Sequence, residues 1–297
     1  MISPSCARPG ICRKSDHSIR AYSSAEEGDT RMAGKGFRGM GAAVLAMATG
    51  ACASGAAPSH TGFLTTYEGL APRTDVVRAS VSQRRDEALA SSITRLWVAP
   101  AEVFGVKDPV LSDDDRRAVM NEVDRQLCYE LSERFEILDQ PDPQAGTVRV
   151  GVTYIRPTHQ AGSAAAAVAN FFIPGPIKVR APGGTGGLGA EAELLAPDGR
   201  QAAAIVWRRD AMVVGTDRPS LSRIGDAHQL AEPLGDMVGD ALAPSDRALR
   251  PRPDLDPCRR FGPRVRVEGI LAGIATGLYE PGLSGGRRAP ESEADSD

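Results

Sequence analysis

The chain is poor in the residues from which most active sites are built. It has 4 His and 5 Cys in 297 residues, and aromatics make up only 5%. His60, His159 and His228 do not pair at helical or zinc-finger spacing, and no cysteine lies near enough to complete a ligand set. Basic residues are not in excess: 35 Lys and Arg face 38 Asp and Glu, a net charge of -3, which excludes the electrostatic footprint of a nucleic-acid binder. No apolar run is long enough to cross a bilayer as a helix. These absences set the expectation of a protein without catalytic residues, metal, cofactor or nucleic-acid partner.

Two motifs invite chemistry and do not carry it. Gly184-Thr185-Gly186-Gly187-Leu188-Gly189 spells the dinucleotide fingerprint G-x-G-x-x-G. That fingerprint needs the loop to open a helix whose N-terminal amides meet a pyrophosphate. Here Ala190-Glu191-Ala192-Glu193-Leu194 follows and alternates like a strand, so no nucleotide is expected. Asp113-Asp114-Asp115 suggests a metal, but consecutive acids on a helix point in different directions. With Ser112 they read instead as a helix N-terminus.

What is present begins with an address. Lys35 and Arg38 precede an uncharged run of small apolar residues, 40–48, and then Thr49-Gly50-Ala51-Cys52. Basic, apolar, then small is the order of a secretory signal. Gly50 and Ala51 suit the shallow pockets of a signal peptidase, with cleavage between Ala51 and Cys52. The stretch resembles the lipobox of bacterial lipoproteins, in which that cysteine carries diacylglycerol and palmitate-type acyl chains. Thr49 departs from it, since an aliphatic residue is usual there, and ordinary cleavage giving a soluble periplasmic protein is the alternative. Several acyl chains anchor firmly where one does not. Ala53 is not Asp, so the periplasmic side of the outer membrane is the expected location. Residues 1–31 are polar and of mixed charge, and translation is expected to begin at Met32.

The segments expected are 1–31, a mis-assigned start or disordered; 32–51, signal peptide; 52–62, tether; and 63–243, an α+β domain. Residues 244–283 form a Pro/Arg-rich linker with a small-residue apolar segment, and 284–297 a disordered tail. An apolar fraction of 41% supports a packed core, whereas 32 Gly and 22 Pro imply much loop. With Cys6 and Cys12 ahead of the start and Cys52 acylated, Cys128 and Cys258 remain. In an oxidising periplasm they are a candidate disulfide; two unrelated thiols are the alternative, because sequence does not show their Cα atoms within bonding range.

Along the domain, Phe63, Leu64, Tyr67 and Leu70 recur at three- and four-residue spacing, which predicts a short helix or turn docked on the domain. Strands are expected at 93–99, 135–138 and 147–155. Between the first two, Val119, Val123, Leu127 and Leu131 form one face of a core-packing helix. Residues 183–189 read as a mobile or tightly turned glycine loop, and 190–196 with 201–208 as a hairpin about Pro197-Asp198-Gly199-Arg200. A last helix carries Ala227, Leu230, Leu234, Val238 and Ala241 on one face. Pro233 interrupts it, predicting a kink or a start near that residue.

An F-L-x-x-Y-x-x-L opening soon after a lipobox resembles an uncharacterised family of bacterial lipoproteins, domain of unknown function thirty-three thirteen. Leu96-Trp97-Val98-Ala99-Pro100 with Val103, Leu131-Ser132, Val148-Arg149-Val150-Gly151-Val152-Thr153, Ala190-Glu191-Ala192-Glu193-Leu194 and the turn at Asp198-Gly199 fit it in order. The resemblance covers about residues 63–243. It implies an envelope lipoprotein domain with no established activity, so it assigns no functional residues.

Beyond that region, Gly269, Gly273 and Gly277 stand four apart. On a helix they make a bare stripe that another backbone can approach closely; a Gly-broken loop is the alternative. This run and the similar one at 163–172 are expected to pack on each other, on a bilayer or on a partner. The fold class expected is α+β: a mixed, largely antiparallel sheet with two main helices, preceded by a lipoprotein signal and followed by a low-complexity tail. The function expected is a non-catalytic interaction or assembly accessory domain, membrane-bound through its N-terminal lipid and contacting other envelope proteins. A periplasmic enzyme with an unrecognised site, or a lipid-interacting envelope protein, is the alternative.

Overall fold

The computed structural model describes residues 60–106, 108–172, 177–251, 255–263 and 266–285. All described residues lie in one compact unit, within 54–297. The expected start, the signal, Ala51, Cys52, most of the tether and most of the tail lie outside the described residues.

Eight strands form one sheet: β1 (Ala71–Pro72), β2 (Ser80–Arg85), β3 (Arg95–Val98), β4 (Glu102–Val103), β5 (Glu136–Leu138), β6 (Gly146–Arg156), β8 (Gly187–Leu195) and β9 (Gln201–Asp210). Their order is β1-β2-β9-β8-β6-β3-β5, with β4 also on β6. The long central pairs are antiparallel, and β3 and β4 join β6 in parallel, as β5 joins β3. Two further strands, β7 (Lys178–Val179) and β10 (Val214–Gly215), make a small antiparallel ribbon. The helices are α1 (Glu87–Ser92), α2 (Asp113–Ser132), α3 (Gln160–Phe171), α4 (Gly225–Leu242), α5 (Val267–Thr276) and α6 (Pro281–Ser284). This is the expected α+β architecture with a mixed, largely antiparallel sheet, and α2 and α4 are its two main helices.

Local chemistry explains the helices. Ser112 caps α2 by accepting from the Asp115 amide, while Asp115 accepts from the Ser112 amide in return; this reciprocal box satisfies two donors that a helix start leaves free. Val119, Val123, Leu127 and Leu131 all turn into the core. α4 starts at Gly225, eight residues ahead of Pro233, and runs through the proline. A buried apolar face of Ala227, Leu230, Leu234, Val238 and Ala241 outweighs the single hydrogen bond the proline removes. α2 and α4 approach closely because Gly235 and Gly239 leave room: a Cβ at either would lie 3.1–3.2 Å from Gln126 or Glu130.

The two helices cover one face of the sheet, packing on Ala190, Ala192, Leu194, Ala203, Ile205 and Trp207. The alternate residues of β8 and β9 turn to the other face. There Ala204 and Val206 pack with Phe63 and Leu64, flanked by Tyr67 and Leu70. The opening segment is therefore a strap of turns across the sheet, not a helix. The glycine loop is also shorter than its sequence suggests, since Gly187 and Gly189 belong to β8.

Candidate interaction surfaces

Three places concentrate polar or apolar groups in ways that need explanation. The first lies under the strap. Glu191 and Glu193 of β8 are fully buried, which a carboxylate tolerates only when its oxygens are satisfied. The Thr61 amide donates to Glu191 at 2.8 Å and the Tyr67 hydroxyl donates to it as well. Glu193 accepts from the Thr65 amide (2.8 Å), the Thr65 hydroxyl (3.0 Å) and the Gln201 amide group (2.8 Å), and it faces Arg149 at 2.9 Å. Burial, and next the bond to Glu191, raise the Tyr67 phenol above its usual range, so it stays a donor. Phe63 fits because position 151 is glycine; a Cβ there would lie 2.5 Å from its ring. The strap is thus the acid-satisfying lid of the sheet.

The second place is a polar cleft of about 760 Å³ between α2, α4, residues 209–218 and the C-terminal segment. That segment is fastened to α2 and α4 at several points. Cys128 and Cys258 are joined as a disulfide, with Cα atoms 5.7 Å apart, among Tyr129, Phe261 and Ile137. The Tyr129 hydroxyl donates to the Gly262 carbonyl (2.6 Å), and Arg125 donates to the carbonyls of Pro263 and Ser284. Arg125 also forms a buried ion pair with Glu122. His228 Nδ1 meets the Tyr279 hydroxyl at 2.7 Å, and its Nε2 faces Glu122 at 3.7 Å.

The electrostatics of this cluster follow from its burial. Desolvation lowers the His228 pKa, partly offset by Glu122, so the ring is neutral near pH 7. Burial, and then the Glu122 charge, raise the Tyr279 pKa, which keeps the phenol protonated and able to donate to Nδ1. Each ring nitrogen of His228 faces a protein group, and Gly285 backs the ring so tightly that a Cβ there would lie 2.4 Å from Nε2. The imidazole thus latches the C-terminal segment; it does not present a free nitrogen to the cleft. Among the described residues no group of His, Cys, Asp or Glu could hold a metal ion.

The third place is apolar surface. On α5, Val267, Ile270, Leu271 and Ile274 are 46–73% exposed, at helical spacing. The opposite side carries the glycines: a Cβ at Gly269 would lie 2.5 Å from Ser284, and one at Gly273 2.2 Å from Arg218. Gly277 ends the helix in the left-handed region, at φ 69°. The close approach expected of the stripe is made by the chain's own C-terminal segment, and α5 packs chiefly on α6. On α3, Val168 and the adjoining Phe172 are likewise exposed, and this helix packs on β7.

The fingerprint-like loop has its own use. The Gly186 amide donates to Asp226 in the first turn of α4 at 2.6 Å, and Asp226 is held by both guanidinium nitrogens of Arg180 in a fully buried pair. The loop amide is thus taken by a carboxylate of the chain itself, and the loop leads into β8. Sequence reasoning located the disulfide candidates and the core faces. It missed the buried pair Arg180–Asp226 and the two strap-covered glutamates, for which an alternating A-E-A-E in a strand was the only local sign.

No curated protein matches the chain. Solved structures similar to it include two PelC dodecamers from Paraburkholderia phytofirmans, one of them a point variant. The variant is 17% identical, with a TM-score of 0.32, and covers 55% of this chain and 96% of its own. The other is 15% identical, with a TM-score of 0.33, and covers 58% and 99%. A family profile described as "Protein of unknown function (DUF3313)" matches residues 59–238, from just before the strap to well within α4. The chain belongs to that family, and the C-terminal segment with its disulfide partner Cys258 lies beyond the matched region.

Proposed function

We propose that the protein is a cell-envelope lipoprotein, cleaved after Ala51 and acylated on Cys52, on the periplasmic side of the outer membrane. There it acts through contacts with other envelope proteins as a non-catalytic assembly or accessory domain. The observation that carries the interaction reading is the apolar row of α5, displayed on a segment that a disulfide and a buried latch hold rigid. An exposed, ordered apolar row of this kind marks contact surface. A disulfide suits an oxidising compartment, which supports the address. The saturated state of His228 supports a structural role for the cleft's buried residues.

Photo-crosslinkers placed at Ile270 and Leu271 in intact cells test the reading. Discrete adducts with envelope proteins, absent when the probe sits at exposed Asp114 of α2, are expected. Adducts no different from those at Asp114 would overturn it. The polar cleft supports a second reading, a periplasmic enzyme or ligand site, because Arg218 and Glu232 line the cleft and form no ion pair among the described residues. That reading predicts loss of function in R218A/E232A with α5 crosslinking unaffected.

A further inference from the structure

We propose that the outer face of α3, with the tip of the β7–β10 ribbon, is a second membrane contact that enters the headgroup–acyl boundary of a bilayer. It rests on the acylation reading above for the nearness of that bilayer, and it deepens that reading by naming a surface. The inner side of α3 is fixed: Ser163, Ala166 and Asn170 are buried, and the Asn170 side chain exchanges two 2.8 Å hydrogen bonds with the backbone of Val179. The outer side repeats at helical spacing through Ala161, Ala164, Ala165, Val168, Ala169 and the adjoining Phe172, all exposed. Phe172 is 77% exposed and Val168 67%; Ile177, next to β7, and Val214, in β10, are 57% and 61%. This edge carries bulky apolar side chains and no acidic residue, a form that suits insertion into an interface.

Two observations select the bilayer as occupant. The strap runs along β8 from Glu191, which holds Thr61, to Glu193, which holds Thr65. Its start at His60 therefore lies toward the end of the sheet where β8 begins and β6 passes into α3. His60 is eight residues beyond Cys52, a reach of at most about 28 Å for a fully extended chain, so an acylated Cys52 keeps this end of the domain close to the membrane. The charge is also one-sided: no Asp or Glu occurs between Asp142 and Glu191, so no acid of this stretch opposes anionic headgroups. The α5 row differs on both counts, because it carries Glu268 and packs on α6, which packs on α4, across the sheet from the strap.

Residues 54–297 form one compact unit, and this piece, purified with its disulfide formed, is sedimented with vesicles of phosphatidylethanolamine and phosphatidylglycerol. Binding is expected, with V168D/F172D weakening it by at least about tenfold, since two exposed apolar side chains lose their transfer into the interface. The variant should keep the parent's unfolding midpoint, and I177D, outside the helix, should weaken binding in the same direction. Absence of binding by the parent, or equal binding by both variants, would overturn the proposal. A concentration-dependent dimer lost in V168D/F172D without any vesicle binding would assign the surface to a second copy and overturn it equally. The acylation reading fails separately: a bare Cys52 in cells with vesicle binding intact sinks the anchor and leaves the surface standing.

Discussion

Removing the disulfide is the perturbation whose size the structure fixes best. Cys128 sits near the C-terminal end of α2 and Cys258 in the segment beyond the family match, 130 residues apart. A cross-link closing a loop of that length removes about 5 kcal/mol of chain entropy from the unfolded state, as an upper value. The double variant Cys128→Ser and Cys258→Ser should therefore lose up to about 5 kcal/mol, or roughly 1.5 M in urea midpoint. The two tryptophans, Trp97 in β3 and Trp207 in the core, report the transition by fluorescence. The loss has a local part as well. The remaining ties of the C-terminal segment are Tyr129 to Gly262, Arg125 to two carbonyls, and His228 to Tyr279, so its amides should exchange faster than those of β8 and β9. An unchanged midpoint together with unchanged exchange in α5 would refute the role given to the bond.

Two further expectations concern buried groups. Asp226→Asn leaves the Arg180 guanidinium buried without a charge partner and weakens the Gly186 contact. It should cost about 3–5 kcal/mol in urea unfolding, and an additional Arg180→Met should recover part of that. The His228 latch predicts a pH effect whose sign is set by burial: the folded-state pKa lies below the ordinary 6.5, so the folded protein resists protonation. Its stabilisation is complete above pH 6.5 and is lost as the pH falls below it. Protection of α5 amides should therefore drop between about pH 7 and pH 5, and His228→Gln should flatten that dependence.

The parts of the fold written locally were legible in the sequence. Ser112 with Asp115, the four-residue spacing of Val119 to Leu131, and Asp198-Gly199 between two alternating runs each determine their element from within a few residues. What escaped depends on distant partners. β2, Ser-Val-Ser-Gln-Arg-Arg, has almost no apolar alternation and is a strand because β9 supplies the pairing. Glu191 and Glu193 look like the solvent side of a strand, and they are buried because a strap more than a hundred residues earlier covers them. α4 ignores Pro233 because its apolar face is anchored on both sides of it. The glycine stripe announced close packing correctly in kind, but not that Ser284 and Arg218 would be the neighbours.

The central claim, an exported protein held at the membrane through Cys52, is tested most directly by the intact mass of the protein extracted from membranes. The account predicts a chain beginning at Cys52 and carrying diacylglycerol with an acyl group. A chain that retains residues 32–51, with an unmodified thiol at Cys52, would contradict it.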